Sequence, residues 1–230
     1  MQRDQPQFLS FPPSNLSVVH EQLARLVTLA LFALSFGLAP ARAAPPISPE
    51  GERLAALIDN SGVTSHWLAK GCIAWRSGDP RPCARGLGHK THCSAYAAAI
   101  AERLGVYVLR PPAHVQDLLA NAQAAWLAGP GGAAAGWRRV DALDAQALAN
   151  EGQLVLAAWP NPNPRRPGHA AVVRPSERVD ADVVANGPQI AWAGTTNSAS
   201  GTTRQGFRTH PFEQILYYAH HVDWRAVKGR

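Results

Sequence analysis

The chain has 230 residues, 46% hydrophobic and 17% charged, with 19 Gly and 19 Pro. That balance excludes a disordered chain and allows one medium domain with many loops. The net charge of +6 is spread over scattered Lys and Arg, with no basic run longer than two, which argues against a nucleic-acid surface and for tolerance of acidic polymers.

The first segment has the layout of an export signal. Residues 26–39, LVTLALFALSFGLA, follow Arg25 and precede the small-x-small triplet Ala41-Arg42-Ala43. The run is too short for a membrane span and is flanked like a cleavable secretory leader. The expectation is a signal peptide over 1–43 and an exported domain over 44–230, periplasmic or secreted, with no stable membrane insertion after cleavage.

Residues 51–60 read as a short helix that ends before Gly62. The loop that follows holds Cys72 and Cys83 around the turn signal Gly78-Asp79-Pro80. In an oxidising compartment two of three cysteines can pair. The turn favours a Cys72–Cys83 disulfide, which leaves Cys93 as the odd thiol, either buried and inert or reactive.

Cys93 opens the next helix. Cys93, Tyr96, Ala97, Ile100, Ala101 and Leu104 repeat at helical spacing, Thr91 suits the N-cap, and Gly105 stops the run. The alanines predict a slim helix that lies deep against a sheet. Val115, Leu118, Leu119, Ala122 and Trp126 form a second stripe, residues 128–136 a Gly/Ala loop, and residues 141–150 a third helix.

The period then changes. Residues 153–159, 168–174, 189–194 and 215–224 read as strands, separated by loops such as PNPNPRRP. Helices first and strands second predict an α+β domain with an antiparallel sheet.

A thiol in the first turn of a helix faces unpaired N–H groups that favour the thiolate, which is the nucleophile. It needs a base. Of nine histidines, His169 alone begins a clear apolar strand, with Ala171 and Val173 on its face and Gly168 before it. The small Ala171 leaves room on that face for a helix end to approach. Cys93 and His169 therefore form the candidate dyad. His89, His92 and Cys93 also crowd five positions, but no fourth metal ligand stands nearby. His89 and His92 are expected to line a cleft or face water, and no metal or other cofactor is called for.

HCSAYAAAI on a helix, GHAAVV on a strand and QIAWAG on the next strand resemble the papain-like cell-wall hydrolases, the NlpC-type peptidases and CHAP amidases. The resemblance spans roughly residues 88–200. It implies a papain-like fold with N-terminal helices packed on an antiparallel sheet, a Cys93 nucleophile and a His169 base. It also implies an exported cysteine peptidase or amidase that cleaves amide bonds of peptidoglycan or muropeptides. Such enzymes carry a third polar residue on the strand after the histidine, and here Trp192 stands in that place. An indole N–H can donate but cannot accept. Asn197, ahead of Gln189 or a backbone carbonyl, is expected to orient the imidazole. Trp75, Trp159 and Trp192 are candidates for flanking a sugar or peptide groove. The alternative is a non-catalytic exported module of the same fold that binds cell wall or a protein and leaves the thiol unused.

Overall fold

The computed structural model describes residues 45–83 and 91–227. The leader over 1–43 and His89 lie outside the described residues. Helix α1, Pro49–Asp59, starts where its sequence says it should. The Ser48 hydroxyl accepts from the Gly51 N–H at 3.0 Å, Pro49 takes the first turn, and Glu50 and Glu52 meet the positive end of the dipole. A two-stranded hairpin follows, β1 Cys72–Ile73 against β2 Pro80–Arg81. Its turn needs Gly78, which sits at φ +75° where a Cβ would collide with the Trp67 ring. The expected Cys72–Cys83 disulfide is present, with Cα atoms 5.2 Å apart.

Helix α2, Cys93–Arg103, is buried from Cys93 to Ala101 without a break. A single buried stripe was the expectation. The alanines let the helix sit so deep that every side is covered. Its N-cap is His92 rather than Thr91, and no side chain caps its first N–H groups. Helices α3, Leu119–Ala128, and α4, Pro130–Ala134, form a pair. The second of these occupies the stretch expected to be a Gly/Ala loop. Helix α5, Ala142–Asn150, is capped by the Asp141 carboxylate, which accepts from the Asp144 N–H at 2.8 Å. Two short helices complete the set, α6 Asp180–Asn186 and α7 Thr203–Gly206.

The sheet has six antiparallel strands in the order β3-β8-β4-β5-β6-β7. They are β3 Arg138–Val140, β4 Leu154–Trp159, β5 His169–Val173, β6 Gln189–Trp192, β7 Ser198–Thr202 and β8 Leu216–His220. The class is therefore α+β, as the sequence predicts. The short edge strands β3 and β7 carry no apolar alternation and have no counterpart in the periodicity.

Every residue of β4 and β5 is buried, because helices cover both faces of the sheet. On one face Leu154, Leu156, Ala170, Val172, Ala191 and Tyr218 pack with α2. On the other, Val155, Ala157, Ala171, Val173, Ile190 and Trp192 pack with α5 and Phe207. Truncating a central residue such as Leu156 to Ala is worth about 2–5 kcal/mol. The helix thus lies over Ala170 and not over Ala171, which corrects the expectation that Ala171 makes room for it.

Candidate active site

The chain is steered into β5 by a clamp. The Asn121 side chain of α3 accepts from the Asn161 N–H at 2.8 Å and donates to the Arg166 carbonyl at 2.8 Å, and so holds both ends of the 160–167 loop. Gly168 follows. Its role is close approach, since a Cβ there would meet the Trp159 carbonyl and the Asn121 amide oxygen. His169 then opens β5, paired with Trp159 across the ladder.

Cys93 is the free cysteine, buried at 3% exposure in the first turn of α2. Its sulfur lies near the start of β5, close to the backbone of Ala170 and Ser94 and the Thr91 hydroxyl. Burial pushes the thiol above its ordinary value, and those polar neighbours pull it the other way.

His169 is buried at 7% exposure. Burial, and after it the charge of His210, pulls its pKa down to about 3. Following the strand alternation, its ring turns toward the Phe207 face. The ring meets Phe207 edge-on at 4.6 Å and stacks on His210 at 5.6 Å with 5° between the planes. Its Cε1 is next to Gly194, at the end of β6.

Thiol and imidazole thus flank β5 from opposite faces of the sheet, the thiol on the α2 side and the ring on the Phe207 side. The sulfur lies against Ala170 and the ring belongs to the preceding residue. Among the described residues no hydrogen bond joins them, and at neutral pH both groups are uncharged. The His169 Nε2 is buried and has no hydrogen-bond partner. Trp192 is 8% exposed and packs toward Gly201 and Gly206, so it gives the imidazole no acceptor.

Neither flanking residue supplies one. The Asn197 Nδ2 donates to the carbonyls of Val63 and His66 at 2.7 and 2.8 Å, and its Oδ1 accepts from the Gly194 N–H at 2.9 Å. That amide ties the β6–β7 turn to the loop after α1. The expected catalytic role of Asn197 is corrected on this ground: both its polar atoms are engaged with backbone groups, and neither bonds the His169 ring. Gln189 is at the far end of β6, where it donates to Ser200 and accepts from Arg178.

No protein-family model matches this chain, and no curated protein matches it. The reading of the site therefore rests on its residues.

The three candidate tryptophans do not line one groove. Trp75 edges the α2 side of the core, with the guanidinium groups of Arg76 and Arg110 at 4.8 and 5.9 Å from its ring. Trp159 and Trp192 belong to the opposite core. Trp159 donates to the Gln214 amide at 3.3 Å and packs on His210 at 4.3 Å. His92, expected in a cleft or solvent, is buried, with Nε2 3.0 Å from the Gly71 carbonyl. Two surface cavities of about 540 and 700 Å³ open elsewhere. Arg178 and Arg204 line the first, and Val184 and Phe212 the second.

Sequence reasoning missed Phe207 and His210. They follow α7 in a turn closed by the His210 N–H and the Phe207 carbonyl at 2.8 Å. The motif GFRTH has no periodicity, and nothing in it signals that both rings fold onto β5.

Proposed function

We propose that this protein is an exported cysteine hydrolase of papain-like arrangement that cleaves amide bonds of peptidoglycan, with Cys93 as nucleophile and His169 as base. One observation carries the reading. A free, buried thiol in the first turn of a helix lies near the strand headed by a buried imidazole, whose Nε2 has no hydrogen-bond partner among the described residues. Buried polar atoms without partners are rare in folded proteins, and a catalytic role is one reason for keeping one. The leader sequence and the disulfide support export.

The resting pair is a thiol and a neutral imidazole. A base held near 3 takes the thiol proton only as the sulfur gives it up, so proton transfer accompanies attack. The sulfur bonds to the amide carbon, and backbone N–H groups at the start of α2 hold the oxyanion. Collapse breaks the C–N bond, and His169 passes its proton to the leaving amine. Water then hydrolyses the thioester and the proton returns to sulfur. These steps use no metal.

The test is mass spectrometry of muropeptides after digestion by wild type and by Cys93→Ala. Wild type is expected to release fragments split at an amide bond, and Cys93→Ala none. Equal fragments from both proteins, or none from wild type, would end this reading.

A second reading is favoured by the missing thiol–imidazole bond and the buried, uncharged state of both groups. In it the domain is a non-catalytic module that binds cell wall. Equal affinity of wild type and Cys93→Ala for muropeptides that neither protein cleaves would support it.

A further inference from the structure

The sequence raises the question of what steadies His169 when Trp192 replaces a polar residue. The surroundings of the ring answer it. Four rings form one cluster at the rim of the sheet. Trp159 comes from β4 and His169 from β5, and Phe207 and His210 come from the turn after α7. His210 has the His169 ring on one side at 5.6 Å and Trp159 at 4.3 Å, and Phe207 meets both imidazoles edge-on at 4.6 and 5.8 Å. The Trp159 indole is itself anchored to Gln214.

The His169 Nε2 has no hydrogen-bond partner among the described residues, so no bond from it reaches His210. His210 therefore acts on His169 as a stacked plate and not as a hydrogen-bonding partner. Stacked and edge-on ring pairs at these separations attract each other beyond their area burial. Two such contacts, from Phe207 and His210, restrict rotation of an imidazole that no hydrogen bond orients among the described residues.

We propose that His210 is the positioning residue of His169, holding the imidazole by stacking on the Phe207 face of the sheet, in the place where a hydrogen-bonding third residue was expected. This rests on the proposed cysteine hydrolase reading for its functional meaning, but its structural content stands alone. The titratable groups facing His169 are His210 and, across the Ala170 peptide, Cys93. Trp159 on β4, Phe207 and Gly194 bring no charge. With both imidazoles uncharged at neutral pH, the stack carries no repulsion.

The experiment compares His210→Phe, which keeps a ring in the stack, with His210→Ala, which removes it. In wild type the His169 imidazole is expected to keep the 15N shifts of a neutral ring at about pH 5, because burial excludes the cation. Its ring protons are also expected to show contacts to Phe207. His210→Phe is expected to keep both signatures. His210→Ala is expected to lose the Phe207 contacts and admit water, so that His169 becomes partly protonated at the same pH. On muropeptides kcat is expected to fall about tenfold or more in His210→Ala with KM little changed, and to recover in His210→Phe. Unchanged His169 shifts and contacts in a folded His210→Ala protein overturn the proposal. So does a His210→Phe protein that behaves like His210→Ala. If wild type cleaves nothing, the hydrolase reading fails, and the NMR comparison still decides whether His210 positions His169.

Discussion

Acidification from about pH 7.5 to about pH 5 is expected to cost the fold on the order of 2 kcal/mol through His169 alone. The ring is held at about 3 in the folded chain against 6.5 in the unfolded one, chiefly by burial. Between those two values the unfolded chain binds a proton that the folded chain refuses. Stability from this group is therefore complete above the unfolded value and is lost as the pH falls through 6.5 toward 3. At about pH 5 the unfolded imidazole is favoured by protonation roughly thirtyfold, and the logarithm of that factor gives the figure. The assay is urea unfolding at both pH values for wild type and for His169→Phe, which fills the site without titrating. The wild-type loss is expected to exceed the variant's by about 2 kcal/mol. His210 is also lowered by burial and contributes in the same direction, but it is present in both proteins. Equal losses in the two proteins would show that His169 is not held neutral by burial, and the account of the resting site would fall.

Three further outcomes follow from the geometry. Because burial pushes the Cys93 thiol up, its alkylation by iodoacetamide in the free protein is expected to be slower near neutral pH than that of an exposed thiol and to rise steeply in the alkaline range; a fast reaction at mildly acidic pH would refute this. Asn197→Ala removes donors to two backbone carbonyls and the acceptor for the Gly194 N–H. It is expected to cost about 2–3 kcal/mol in urea unfolding, from buried backbone groups left unpaired. Replacing Cys72 and Cys83 together by Ser opens a loop closed over a sequence separation of 11. The expected loss is about 3 kcal/mol by thermal or chemical unfolding.

Much of the fold was legible because it rests on local signals. Ser48-Pro49 and Asp141 start helices wherever they stand, and continuous apolar runs such as LVLAAW form buried strands. The edge strands β3 and β7 were not legible, because their residues pair along backbone and bury little. The α4 helix was hidden by its glycines, which cost helical propensity and are tolerated here by packing close to α3.

The candidate site divides the same way. The sequence alone determined the unpaired Cys93 at a helix start, the Cys72–Cys83 bridge, and an antiparallel sheet with His169 at the head of a strand. These follow from cysteine count, helical spacing and alternation, which act over a few residues. Only the tertiary structure decided what surrounds the imidazole. It put α2 over Ala170, engaged Asn197 with backbone carbonyls of the loop after α1, and folded Phe207 and His210 onto the ring. Those contacts join segments far apart in the chain, and no periodicity encodes them. They are set by which side chains fill the space left when helices close on both faces of a sheet.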